Sequence, residues 1–174
     1  MGMLSGWRWC PRCRSGLEEG EGKVTCPECG LVIYANSEPT ASALVRDGDG
    51  NLLLARRGAE PELGKWDLPG GFLEEGEHPL DAVKRELREE AGVEIEPLEL
   101  VAIETDVYGN DDGAPWTLNL YWTARIVSGE PEPADDVSEL RWFAVDELPP
   151  DDELAFDNVA RVLGRLRRSP GPSS

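Results

Sequence analysis

The 174-residue chain carries 17 Lys+Arg against 35 Asp+Glu, a formal net charge of −18, and is 40% hydrophobic. That is enough apolar sequence for a buried core, and no run approaches the roughly 20 apolar residues of a membrane span. So negative a chain is unsuited to gripping nucleic-acid phosphates or anionic membrane non-specifically, and the lack of an apolar signal in the first nine residues makes the expectation a cytoplasmic protein.

All cysteines fall in the first 29 residues, as Cys10-Pro-Arg-Cys13 and Cys26-Pro-Glu-Cys29, twelve residues apart. Each pair sets two thiolates on one tight turn, and two such knuckles close a tetrahedral sulfur site, so residues 1–35 are expected to form a small ribbon around a structural Zn²⁺. The competing reading, two disulfides or a redox dithiol, suits a secreted protein better. Gly16, Gly20 and Gly22 suit a short hairpin between the knuckles. Arg8, Arg12, Arg14 and Lys23 balance Glu18, Glu19, Glu21 and Glu28, so the ribbon is neutral, without the basic stripe of a nucleic-acid reader. Trp7 and Trp9 could stack on bases or supply the core of a metal-stapled module.

Residues 36–39 read as a linker. The apolar runs 41–46 and 52–57 flank Asp47-Gly48-Asp49-Gly50-Asn51, a β-hairpin pattern. Pro79 to Ala91 reads as a helix, with proline in its first turn, Gly92 just beyond its end and Leu80, Val83, Leu87 and Ala91 in one stripe. His78 stands where a helix cap belongs. The runs 98–108 and 116–127 read as a long hairpin, 138–145 as a strand, and 154–166 as an amphipathic helix with Arg165, Arg167 and Arg168 complementing its C-terminus. Residues 169–174 read as a disordered Pro/Gly/Ser tail.

The helix at 79–91 holds more acid than packing needs. At about 100° per residue, Glu86 and Glu90 lie roughly 40° apart, with Glu89 on the neighbouring flank. Such clustered hard oxygens suit Mg²⁺ or Mn²⁺, and a solvated acidic face is the alternative. The preceding loop decides the reading. Gly71, Glu77, Arg85, Glu86, Leu87, Glu89, Glu90, Gly92 and Val93 fill the pattern G-x₅-E-x₇-R-E-U-x-E-E-x-G-U, where U is aliphatic. This resembles the Nudix hydrolase signature, with no departure at any fixed position, and the likeness extends more loosely over residues 38–168, through Trp66-Asp67-Leu68-Pro69-Gly70-Gly71 and Leu140-Arg141-Trp142-Phe143.

The resemblance implies an α+β fold, a mixed β-sheet packed between helices over residues 36–168, and hydrolysis of the pyrophosphate linkage of a nucleoside diphosphate joined to a group X. By carry-over, Glu86, Glu89 and Glu90 bind the magnesium, the carbonyl of Gly70 or Gly71 adds to them, Glu77 is a supporting acid and Arg85 orients the carboxylates. The general base is Glu90 or one of Asp135, Asp136 and Glu139. A ribbon ahead of such a domain is similar to the NADH pyrophosphatase branch. That branch also carries S-Q-P-W-P-F-P-x-S soon after the box, and this chain answers only with Ala114-Pro115-Trp116. The segments 26–34, 66–71 and 154–156 look more like ribbon-bearing Nudix enzymes acting on ADP-ribose and related ADP conjugates. The first expectation is therefore an ADP-ribose-like substrate, with NADH or FAD as the alternative and, from another class, a non-catalytic ligand sensor whose ribbon binds a partner. Candidate substrate contacts are Arg56 or Arg57 on phosphate, Gly70 and Gly71 in the loop, and Trp66, Tyr108, Trp116 or Phe156 against a base. The partner is expected to be a small nucleotide, not nucleic acid or membrane, and the resemblance also suggests a homodimer. Lysine occurs only at 23, 65 and 84, and an acidic, lysine-poor surface is compatible with a salty cytoplasm.

Overall fold

The computed structural model describes residues 3–109, 111 and 113–168, so the expected tail at 169–174 lies outside the described residues. Three short strands, β1 (Glu18–Gly20), β2 (Lys23–Thr25) and β3 (Val32–Tyr34), form an antiparallel sheet of their own in the order β1-β2-β3. Gly22, at φ 65°, makes the β1–β2 turn, and the sheet buries only Val24 fully, too little apolar surface to hold it without the cysteine cluster.

The remaining strands are β4 (Glu38–Val45), β5 (Leu52–Arg57), β6 (Trp66–Asp67), β7 (Gly70–Phe72), β8 (Glu94–Val107), β9 (Trp116–Ser128) and β10 (Val137–Phe143), with helices α1 (Pro79–Ala91) and α2 (Asp157–Arg168). They build a four-stranded sheet, β7-β4-β9-β8, and a three-stranded one, β10-β5-β6. β4 and β9 run parallel, and the other pairings are antiparallel. Ala41, Ala43, Val45 and Leu53 pack with Ala82, Val83 and Leu87 of α1; Leu44, Leu52, Leu54 and Tyr121 pack with Val159, Val162 and Leu163 of α2. Covering on both faces explains why 43–45 and 52–55 read as unbroken apolar runs instead of alternating ones.

The structure corrects the hairpin expected around 47–51. Asp47 does close a tight turn, accepting the N–H groups of Asp49 and Asn51, but β4 and β5 share only one bridge, Arg46 to Leu52, and enter different sheets. Each strand finds longer ladders elsewhere, β4 with β9 and β5 with β10. Four boundaries move as well: the strand expected over 138–145 is β10, which ends at Phe143, and Val145 opens a 3-10 turn instead. β4 begins at Glu38, inside the expected linker, and β8 begins at Glu94, immediately after the left-handed Gly92 cap. Residues 154–156 do not start α2; they run beside β6, where Leu154 bridges Trp66 and Ala155 N–H donates to the Trp66 carbonyl. The 98–108/116–127 hairpin forms as β8–β9, and His78 caps α1, its Nδ1 accepting the Leu80 N–H at 3.2 Å.

The α1 stripe sets a stability prediction. Leu87 is fully buried between α1 and the four-stranded sheet, whereas Leu98 is 59% exposed. Leu87→Ala should cost about 2–5 kcal/mol in urea unfolding, and Leu98→Ala should stay within about 0.5 kcal/mol of wild type.

Candidate functional site

The loop before α1 and the inward side of that helix meet across two glycines. Gly70 has φ 142°, and a Cβ there would lie 2.3 Å from the Ala41 carbonyl oxygen and 2.5 Å from Ser42 Cα. At Gly71 a Cβ would lie 2.7 Å from the Glu86 carboxylate. The missing side chains are what let α1 carboxylates approach the β7 backbone. The Gly70 N–H donates to Glu90 Oε2 at 2.9 Å.

Arg85 ties the loop to the helix. Its Nε and Nη2 clamp the two oxygens of Glu77 at 2.9 Å each, Nη2 also reaches the Phe72 carbonyl at 3.0 Å, and Nη1 holds Glu86 at 2.7 Å and Glu89 at 3.1 Å. The Arg85 hydrogen bonds pull Glu77 down to about 2, so it stays ionised, whereas burial pushes Glu86 upward despite the same guanidinium. Glu90 rises well above the ordinary 4.5: burial is the main cause, the Gly70 N–H opposes it, and Glu86, Asp136 and Asp67 add like charge. Glu89 is half exposed at the helix edge.

Glu86 and Glu90, but not Glu77, Arg85 or Glu89, line a cavity of about 240 Å³. Gly70, Gly71, Glu86, Glu90, Asp135 and Asp136 line it, as do Phe72, Tyr108, Phe156 and Arg57. Glu139 turns away and pairs with Arg56 and Arg141. Strand alternation separates the two candidate arginines. Arg57 points inward, donates to the Tyr108 hydroxyl at 3.1 Å, pairs with Asp67 at 3.5 Å and lies over the Tyr108 and Phe156 rings. Arg56 points outward to Glu139 and the Gly64 carbonyl. Trp66 is core: β6 pairs with β5, turning the indole into the α2-side cluster edge-on to Phe143, and it does not line the cavity. Trp116 is 56% exposed.

Sequence reasoning assigned no role to Asp67, which burial pushes up to about 6 against the opposing pull of Arg57. Nor did it single out Thr40, Thr117 or Asn119, buried polar residues on the cavity floor. Along each strand they alternate with apolar residues of the opposite face, Ala41 and Ala43 or Leu118 and Leu120, a pattern that reads as a solvated face rather than a buried polar one.

The chemistry of both donor sets fits cations. The four cysteine sulfurs lie within 4.8 Å of one another, with Cys10–Cys29 at 3.6 Å and Cys13–Cys26 at 3.5 Å. Tetrahedral zinc with bonds of about 2.3 Å places its sulfurs about 3.8 Å apart, close to this spacing. Hydrogen bonds from Ser15 pull Cys13 down to about 6; Cys29, despite the Leu31 N–H, is pushed up to about 12 by burial and by the other three sulfurs. Glu86 and Glu90, facing one cavity with Asp136 nearby, are buried like charges that a divalent ion would relieve. Mg²⁺ keeps several waters, so its protein ligands need not converge as the sulfurs do.

Fold and site together define a mixed α/β scaffold in which a glycine loop and an acidic helix share a pocket. The NUDIX domain model matches residues 36–162, and the chain belongs to that family. It is 36% identical over 148 residues, 82% of its own length, to a protein named NAD-capped RNA hydrolase NudC from Pseudomonas aeruginosa. The match covers 50% of that relative, so the chain spans about half the length of the curated relatives it matches. Among solved structures it resembles a NUDIX hydrolase from Nitrosomonas europaea, with TM-score 0.74, 26% identity and coverage of 92% of this chain and 89% of the other. An ADP-ribose pyrophosphatase from Streptococcus suis aligns with TM-score 0.57 and 26% identity, covering 77% and 94%.

Two measurements follow. The purified protein should contain one zinc per chain, and Cys26→Ser should lose it, with faster amide exchange in β1–β3. In magnesium-free buffer, stability should fall as pH rises above about 4.5, because folded Glu90 keeps its proton while the unfolded carboxyl releases it. Glu90→Gln should flatten that slope, raise the melting temperature at pH 8 and shrink the stabilisation gained on adding Mg²⁺.

Proposed function

We propose that this protein is a divalent-metal-dependent pyrophosphohydrolase acting on an ADP conjugate of the ADP-ribose kind. The observation that carries the reading is one pocket lined by the buried Glu90, by Glu86, whose charge Arg85 answers only in part, and by an inward Arg57. Glu86, Glu89 and Glu90 would hold Mg²⁺ or Mn²⁺, which supplies charge neutralisation on the phosphates and a more acidic bound water. Arg85 keeps Glu86 and Glu89 in fixed rotamers, so little reorganisation is needed when a phosphate arrives. Arg57, held over Tyr108 and Phe156, offers a guanidinium to a phosphate while the rings shield it from water. Of the candidate bases, Glu90, Asp135 and Asp136 line the pocket and can take the proton of the attacking water. Glu139, engaged by two arginines outside it, is the weakest candidate base.

A second reading, hydrolysis of NADH or of an NAD-capped RNA end, is favoured by the name of the Pseudomonas relative. The ribbon's exposed Trp7 and Trp9 are the surface an RNA strand could stack on. FAD shares the same ADP half. A ligand sensor would not need all three carboxylates of α1, and the chain has them.

A panel of ADP-ribose, NADH, NAD, FAD and a 5′-NAD-capped oligonucleotide with Mg²⁺ tests these readings by the products formed. AMP from ADP-ribose at the highest kcat/KM supports the first, and preference for NADH or the capped oligonucleotide supports the second. Glu90→Gln should lower kcat at least about 100-fold while leaving the fold intact. A mutant as active as wild type, or a wild type inert on the whole panel, would refute the enzyme.

A further inference from the structure

The cavity floor is polar where a sheet covered on both faces should be apolar. Side chains alternate along β9, so Thr117, Asn119 and Tyr121 share the face toward α2. The register sets Thr40 of β4 beside Asn119, Ser42 beside Tyr121, and Phe72 of β7 beside Thr40. Farther along the same face stand Leu44 and Ala102, packed in the α2-side core. Thr40, Thr117 and Asn119 are only 7%, 3% and 7% exposed, yet each lines the cavity. An asparagine in a central strand is disfavoured by propensity, and burying its amide costs free energy unless its hydrogen bonds are replaced.

The replacement bonds have a direction. Thr40 Oγ1 donates to Asn119 Oδ1 at 2.7 Å, Asn119 Nδ2 donates to Thr117 Oγ1 at 2.9 Å, and Thr117 Oγ1 donates to the Asp106 carbonyl at 3.1 Å. Both hydroxyl protons and one lone pair of the Asn119 carbonyl are thereby committed. An amide carries two N–H groups, and hydroxyl and carbonyl oxygens two lone pairs each, so among the described residues one N–H of Asn119 and both lone pairs of Thr40 stay unused, beside a second lone pair on Asn119 Oδ1 and on Thr117 Oγ1. A donor and an acceptor thus stand side by side on the floor, bordered by the flat rings of Phe72, Tyr108 and Phe156.

We propose that the Thr40–Asn119–Thr117 ladder is a recognition subsite for the planar end of the substrate, a ring bearing an N–H donor next to an acceptor. An adenine edge and a nicotinamide carboxamide both present that pair. The proposal rests on the reading of this cavity as a nucleoside diphosphate conjugate site, and it assigns to the floor the choice of which half of a dinucleotide enters. Phosphate ends without such a ring gain nothing from the ladder.

Calorimetric binding of AMP, NMN and inorganic pyrophosphate, in Ca²⁺ and without turnover, tests it on wild type, Asn119→Leu and Thr40→Val. Asn119→Leu should weaken AMP or NMN by about tenfold, the loss expected for one buried hydrogen bond, and leave pyrophosphate within about twofold. Whichever of AMP and NMN is weakened identifies the ring that occupies the floor. Thr40→Val keeps the branched strand side chain while removing the acceptor, so it should show the same selectivity should Asn119→Leu not fold. Equal binding of both nucleotides by wild type and folded variants, or a parallel loss of pyrophosphate, would overturn the subsite. A wild type that binds AMP through Asn119 but hydrolyses nothing would instead overturn the enzyme and leave the subsite standing.

Discussion

Burying the Glu90 carboxylate beside Glu86, with Asp136 and Asp67 in electrostatic reach, is the constraint around which the larger part of the chain is arranged. The protein compensates for only part of that burial. One backbone N–H, from Gly70, reaches the carboxylate, and that contact requires a strand with no side chain at that point. The glycine pair, the left-handed cap at Gly92 and the His78 cap together fix where α1 starts, stops and lies against β7. Arg85 then anchors the loop, so the acids that remain uncompensated do so in a rigid setting. Such an arrangement stores affinity for a cation in the folded state.

What could be read from the sequence was whatever short-range chemistry determines. Pro79, the 3.6-residue stripe and Gly92 bracket α1 within its own thirteen residues. The two Cys-x-x-Cys knuckles announce a sulfur cluster because each closes within one turn. The β8–β9 hairpin is legible because its strands are long and adjacent in the chain. The β4–β5 pairing was misread for the complementary reason. Asp47 and Asn51 do form the turn, but the partners that win, β9 and β10, come from far along the chain and leave no local mark. Trp66 looked like a stacking residue until β6 turned it inward, and the floor of the cavity depends on a Thr40–Asn119 bond spanning 79 residues.

The charge of −18 takes a different meaning once partners are assigned. Several acids outside the pocket are answered locally: Glu94 by Arg88, Glu96 by Arg125, and Glu104 by Arg161 and Arg165. These pairs are mostly at the surface and add little stability, but those of Glu94 and Glu104 tie α1 and α2 to β8. Glu86, Glu90, Asp135 and Asp136 in the cavity have fewer cations to answer them, and there a bound metal would reverse the local field that a phosphate meets.

β8 closes one side of the four-stranded sheet, and along its fourteen residues Leu98, Leu100, Val101 and Ile103 are exposed. A straight strand of that composition would be a template on which other chains could stack and aggregate. Here the ladder to β9 slips register at three places between Glu94 and Ala102, and Pro97 removes an N–H from the row. The Thr105 carbonyl is taken by Arg161. An incoming strand would find neither even spacing nor a continuous set of donors. The irregularity makes this apolar border a poor template for edge-to-edge pairing.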